Sequence, residues 1–179
     1  GFVAPFTDTP LDQETTSKNL YVSLISQASK TIYITTPYLI IDNELMTALK
    51  YAAKSGVKVK IIIPYIPDKK IIYMVTKSYA SELVEAGVEV YRYKPGFIHS
   101  KMMIVDGIRA MIGTANLDFR SLYLHFENNV YLEQTDSIKD MVSFFDEVTK
   151  QSILETNSSK SNIFYRLVQV LLRGFSSIM

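Results

Sequence analysis

The sequence predicts an α/β fold: a mixed β-sheet flanked by helices on both faces. Three observations lead there. Through the first half, short β-branched and aromatic runs alternate with longer stretches that begin and end like helices. Several of the short runs stop at proline, which cannot continue a central strand. Near residue 100 the alternation gives way to two apolar runs joined by Asp106-Gly107, a strong short hairpin signal.

Taken in order, Gly1–Phe6 reads as irregular and strand-like, and the Thr, Pro, Asp and Ser of residues 7–19 read as a loop leading into the domain. A helix is expected from Leu20 to Ala28, then a strand over Thr31–Thr36 that halts at Pro37. Asp42 can cap a helix running to Ser55 with Gly56 just past its end. The buried strand Val57–Ile63, stopped by Pro64, completes a βαβ unit. Asp68 is expected to open the next helix and Gly87 to close it, before an alternating strand Val88–Tyr93. The hairpin strands are Ile98–Val105 and Ile108–Thr114, followed by a strand from His125 to Glu133 and a helix from about Asp136 to Leu154. A Ser-rich linker, Ser158–Ser161, precedes an amphipathic segment, Ile163–Met179.

At 179 residues, 47% apolar and 21% charged, the chain fits one domain with a sizeable core. A formal charge of +1 supplies no overall field toward nucleic acid or an anionic surface, so any phosphate affinity must be local. Without cysteine there is no disulfide, thiol nucleophile or thiolate metal site. No apolar run approaches the roughly 20 residues that span a bilayer. The beginning at Gly1 reads as an excised piece of a longer polypeptide, with targeting segments expected elsewhere.

The chemistry concentrates in His99, Lys101 and Asp106, spaced H-x-K-x4-D, followed by Gly113-Thr114-Ala115-Asn116. The first pattern alone would arise by chance in roughly one chain in a hundred of this length, and the tail makes the combination far rarer. If Asp106-Gly107 forms a two-residue turn, Val105 faces Ile108 and His99 faces Thr114. His99, Lys101, Thr114 and Asn116 then share one side of the sheet. Such a patch suits a phosphodiester: ammonium and amide donors neutralise non-bridging oxygens, while an imidazole attacks phosphorus or moves a proton. It needs no metal and no cofactor.

His99-Ser100-Lys101 through Asp106, with the GTANLDFRS run from Gly113 to Ser121, resembles the HKD motif of the phospholipase D superfamily. Tyr93–Lys101, Thr36-Pro37-Tyr38 and Phe126-Glu127 more narrowly resemble the C-terminal catalytic half of bacterial cardiolipin synthases, and the similarity runs the length of the chain. The resemblance implies one half of a two-fold pseudo-symmetric enzyme of the bacterial cell membrane, whose transmembrane segments, if any, lie outside this piece. It implies residues 1–19 as a linker from the preceding half, 20–156 as the catalytic domain and 157–179 as a C-terminal amphipathic helix. The implied reaction joins two phosphatidylglycerol molecules into cardiolipin and glycerol through a phosphatidyl-histidine. The second histidine comes from the N-terminal half or from a second copy of the chain, and His99 is either nucleophile or general acid/base.

The resemblance further implies that Lys101 and Asn116 bind phosphate oxygens, that Thr114 adds a hydroxyl donor, and that Glu127 holds a catalytic histidine. Asp106 is either a supporting group or simply the residue a type I′ turn prefers. Tyr38 and Tyr65, each following a strand end, line the lipid path or only pack. Arg120 touches phosphate or makes a local ion pair. His125 stands where these synthases often have asparagine, and reads as a rim group or an ordinary strand histidine. The last helix lies on the membrane surface or docks on the protein. Two alternatives remain: a single-motif phosphodiesterase acting on nucleic acid as a homodimer, disfavoured by the near-zero charge, and a non-catalytic interaction domain.

Overall fold

Proline and glycine punctuation sets most of the element boundaries. The computed structural model describes residues 1–12 and 14–156. In chain order these form β1 (Phe2–Asp8), α1 (Thr16–Ser26), β2 (Thr31–Thr35), β3 (Leu39–Ile40), α2 (Asn43–Lys54), β4 (Lys58–Pro64), α3 (Lys70–Glu85) and β5 (Glu89–Tyr93). They continue as β6 (Met102–Val105), β7 (Arg109–Gly113), β8 (Leu117–Asp118), α4 (Phe119–Tyr123), β9 (Glu127–Glu133), α5 (Ser137–Lys150) and β10 (Ser152–Leu154). Asp42 caps α2 as expected, accepting the Leu45 N–H at 2.8 Å. Gly56 and Gly87 take positive φ just past α2 and α3. The expected last helix, Ile163–Met179, lies outside the described residues.

One eight-stranded sheet runs in the order β1-β9-β7-β6-β2-β4-β5-β10. Only β2, β4 and β5 pair parallel within it. β3 and β8 form a separate two-stranded parallel pair. Helices cover both faces, because successive residues of a central strand point opposite ways. Ile61 and Ile63 enter the core beneath α1, α2 and α3, while Ile62 enters the core that α5 closes. Tyr33 stacks on Phe145 of α5 with ring centroids 4.7 Å apart.

Several local expectations fail for identifiable reasons. Gly1–Phe6, read as irregular and strand-like, and the first two residues of the expected loop form one regular edge strand, Phe2–Asp8, paired antiparallel to β9 along its whole length. Pro5 is tolerated there because an edge strand can spare one N–H, and Phe6 packs against the larger core. α1 starts at Thr16, ahead of Leu20, its first turn held by Asp8, which accepts the Ser17 N–H at 2.7 Å. α3 starts at Lys70 without a side-chain cap, and Asp68, expected to open it, accepts the Tyr38 hydroxyl. α5 ends at Lys150, and residues expected to continue it form β10, which takes the open edge of β5. β9 begins at Glu127, leaving His125 before the strand.

The hairpin differs in register. Asp106 and Gly107 both have positive φ (53° and 68°), and the Ile108 N–H donates to the Val105 carbonyl at 3.1 Å, as a type I′ turn requires. Pairing nevertheless resumes at Val105↔Arg109, so Ile108 is an extra residue and every partner is displaced by one. β6 starts only at Met102, so His99 and Lys101 lie on the loop leading into it, and the predicted His99–Thr114 pair does not form.

Candidate active site

The expected residues still converge, from three loops at one end of the sheet. The first loop, between β5 and β6, carries Phe97, His99 and Lys101. The second, from the end of β7 to β8, carries Thr114 and Asn116. The third brings Glu127 at the start of β9. Gly113 permits the approach of the last two: a Cβ there would collide with the Asn128 carbonyl oxygen and the Asn129 side chain. The Gly113 N–H donates to the Lys101 carbonyl at 3.2 Å and the Thr114 N–H to the Asn128 carbonyl at 3.0 Å, tying the three segments together.

Lys101 is 8% exposed, and its ammonium donates to the His99 carbonyl oxygen at 2.7 Å. Burial lowers its pKa, while the carboxylates of Glu127 and Asp118 pull the other way. The imidazole of His99 is exposed. Desolvation first, and the Lys101 charge second, hold it below the usual 6.5, against an opposing pull from Asp68. Neutral imidazole is therefore the favoured form at neutral pH, and neutral imidazole is the form that attacks phosphorus or accepts a proton.

Glu127 is buried and receives the Thr114 hydroxyl proton on Oε2, while Oε1 lies 3.7 Å from Nδ1 of His125. The Thr114 oxygen also accepts the Asn128 N–H at 2.9 Å. Expected as a phosphate donor, the Thr114 hydroxyl has its proton committed to positioning Glu127. The Asn116 amide nitrogen donates to Ser121 Oγ at 3.1 Å, and its Oδ1 is buried without a hydrogen-bond partner. The same amide N–H group also hydrogen-bonds the Asp118 carboxylate, so the Asn116 amide is held by Ser121 and Asp118.

Asp106 stands apart from this cluster. Its carboxylate accepts the N–H groups of Ser29, Lys30 and Thr31 and the Ser29 hydroxyl, at 2.7 to 2.9 Å. Five residues of extended chain separate it from Lys101, roughly 16 Å at strand geometry. Its contacts join the hairpin turn to the start of β2. Tyr38 is half-buried near the cleft, its ring 6.2 Å from Phe97, which in turn lies 5.8 Å from His99. Arg120 is exposed and makes no ion pair among the described residues. Tyr65 lies under the Arg92 guanidinium at 4.9 Å, a packing contact.

Sequence reasoning missed Asp118, Ser121, Asp68 and the Ser100–Thr35 hydroxyl pair at 2.8 Å. Asp118 is buried, caps α4 by accepting the Ser121 N–H at 2.8 Å, and is pushed above the usual carboxylate range chiefly by burial. The Asp-x-x-Ser spacing before a short helix was its available signal.

A mixed sheet with an imidazole, a buried ammonium and a side-chain amide brought together at one end defines a phospholipase D-like domain. The fold matches Nuc of Salmonella typhimurium, a phospholipase D family member, with a TM-score of 0.74 at 20% identity, over 87% of this chain and 99% of that one. It also matches a phosphatidylserine synthase of Haemophilus influenzae, with a TM-score of 0.75 at 19% identity, over 98% of this chain and 45% of that one. The family model described as "Cardiolipin synthase, PLD-like domain" matches residues 21–149, and the chain belongs to that family. A cardiolipin synthase of Geobacillus sp. (strain WCH70) is 50% identical over 135 residues, 75% of this chain and 27% of that protein. The chain spans roughly a third of the length of the curated relatives it matches.

Proposed function

We propose that this chain is one catalytic half of a membrane-associated phosphatidyltransferase that joins two phosphatidylglycerol molecules into cardiolipin and glycerol. The observation that supports the reading is the Lys101 ammonium set beside His99, close enough for its charge to act on the imidazole, in a chain of the cardiolipin synthase family. One imidazole attacks phosphorus, forming a P–N bond as glycerol leaves with a proton from a second imidazole. The hydroxyl of the second phosphatidylglycerol then loses its proton to that second imidazole and attacks phosphorus, and the P–N bond breaks. Lys101 and the Asn116 amide offset the charge growing on the non-bridging oxygens.

Two imidazoles in opposite protonation states are needed at each step, and this cluster holds one in position. The second comes from another half of the same polypeptide, which the length of the relatives accommodates, or from a second copy of this chain. The neutral bias of His99 favours nucleophile or base over acid in the uncombined half.

The test is His99→Asn in the intact polypeptide, assayed on phosphatidylglycerol vesicles. Turnover should be lost with the fold retained. Accumulation of phosphatidyl-enzyme in that variant assigns His99 to acid/base work, and absence of any adduct assigns it the nucleophilic role. Near-normal transfer would refute both. The second reading, a homodimeric single-motif phosphodiesterase, is favoured by one fact: the chain overlays nearly all of Nuc. It predicts activity in the isolated chain that rises with protein concentration.

A further inference from the structure

The chain as a whole carries only +1, so any attraction to an anionic lipid surface has to come from a local excess of charge. The connection from β4 into α3, PYIPDKKI over residues 64–71, supplies one. Ile66 is 54% exposed, Ile71 is 58% exposed, and Tyr65 is exposed beside them. One exposed isoleucine is ordinary. Here two flank the exposed Lys69 and Lys70 within six residues, and neither lysine makes an ion pair among the described residues. The single carboxylate of this stretch, Asp68, accepts the Tyr38 hydroxyl. A third exposed lysine without an ion pair, Lys94, joins the group from the neighbouring strand end: β4 and β5 run parallel, and the Tyr65 N–H donates to the Tyr93 carbonyl at 2.9 Å. This end of the sheet is also the end that carries His99. Pro64 and Pro67 lie against Phe97, whose ring is 5.8 Å from that of His99.

Isoleucine interspersed with unpaired lysine suits a protein partner poorly, because lysine is depleted from the cores of protein interfaces. A second copy of a chain with a formal charge of +1 also offers no complementary field. A bilayer surface suits both residue types, since isoleucine enters the acyl boundary while lysine stays among anionic headgroups. We infer that Tyr65, Ile66, Lys69, Lys70, Ile71 and Lys94 form a docking face for an anionic lipid surface, set beside His99. The inference rests on the phosphatidyl-transfer reading for the class of lipid, and adds to it the part of this chain that meets the bilayer.

The chain has no tryptophan, so one introduced on the face reports without background. Ile66→Trp and Ile71→Trp are mixed separately with vesicles of phosphatidylglycerol and phosphatidylcholine in equal parts, and with vesicles of phosphatidylcholine alone. Tyr51→Trp serves as the control, because Tyr51 is exposed near the end of α2 that leads into the start of β4, away from Pro64. On the anionic vesicles, emission from both face positions should move to the blue and be quenched by brominated acyl chains, while the control stays unchanged. Replacing Lys69 and Lys70 together by Gln should weaken partitioning about thirtyfold, and added salt should act in the same direction. No shift at either face position, an equal shift at the control, equal binding to the neutral vesicles, or partitioning indifferent to the lysines would overturn the docking face. A blue shift that grows with protein concentration in the absence of lipid would give the face to a second copy instead. Docking is read here without turnover and transfer is read by the His99→Asn assay, so failure of one is distinguishable from failure of the other.

Discussion

Asp106 offers the sharpest separation of structure from chemistry, because the motif's third member sits far from the other two. Replacing it with Ala removes four acceptor contacts, three of them near the surface and one partly buried. Water substitutes at the exposed positions, so each lost bond costs about 0.5–1 kcal/mol, below the full value for a charged acceptor. Asp106 also has a φ of 53°, where Ala carries about 1 kcal/mol of strain. The sum is about 3–5 kcal/mol. With a urea slope near 2 kcal/mol/M, the unfolding midpoint should fall by about 1.5–2.5 M, read by far-UV circular dichroism on this chain. Asp106→Asn keeps the tolerance for positive φ and one acceptor oxygen, and should lose about half as much. Folding lowers the Asp106 pKa from 3.8 through the N–H groups it accepts, outweighing burial. Its stabilisation is therefore present above the unfolded value and lost as pH falls through the folded one. The wild type's margin over Asp106→Asn should be full above about pH 5 and shrink below about pH 4. Once folded at low temperature, both variants should retain transfer in the intact polypeptide. A stability loss under about 1 kcal/mol for the Ala variant would refute the hydrogen-bond reasoning. A thousandfold loss of transfer from a fully stable variant would put Asp106 in the chemistry.

Three further outcomes follow from the site. His99 should titrate below 6.5 in an NMR experiment on the imidazole protons, and Lys101→Ala should raise its midpoint, since Lys101 charge and burial together hold it down; a midpoint above 7 in the wild type would contradict the arrangement. Gly113→Ala must push β7 away from Asn128 and Asn129, and should destabilise the chain by about 1–3 kcal/mol while weakening Lys101 and Thr114 positioning. A chelator should leave cardiolipin formation by the intact polypeptide unchanged, because Lys101 and Asn116 are proposed to supply the charge neutralisation; loss on chelation with recovery on adding a divalent ion would overturn that assignment.

The parts of the fold legible in sequence are those set by local chemistry. Pro37, Pro64, Gly56, Gly87 and the Asp42 cap act within a turn of their own position, and each stands at an element end. What stayed illegible depends on distant partners. β10 forms because β5 leaves an open edge, and no residue of Ser152–Leu154 announces that edge. β1 reads as irregular until β9 is there to pair with it. The hairpin register turned on one residue: Asp-Gly correctly indicated positive φ at both positions, but the extra Ile108 is fixed by β9 beyond, where the Gln134 N–H meets the Ile108 carbonyl. The site survived this slip because it is assembled from loops. His99, Lys101, Thr114 and Asn116 meet through the turns that precede β6 and follow β7, so pairing arithmetic predicted their convergence through a contact that does not exist.

The charge around His99 and Lys101 bears on what a second motif would add under the two-imidazole reading proposed above. Lys101 brings a single positive charge, His99 is biased toward neutrality, and Glu127, Asp118 and Asp68 bring carboxylates, of which Asp118 is shifted toward its protonated form. A phosphodiester adds another negative charge. The balance is unfavourable for an anion at this cluster alone, and the chain's formal +1 offers no background field to offset it. A second copy of the same motif, facing the first, would supply the second imidazole and a second ammonium, but it would bring its own set of the same carboxylates, so it meets the proton-transfer requirement without reversing the charge balance. Joining two motifs is therefore expected to bring turnover through the second imidazole, while the carboxylates that order each half continue to oppose the phosphodiester in the joined site.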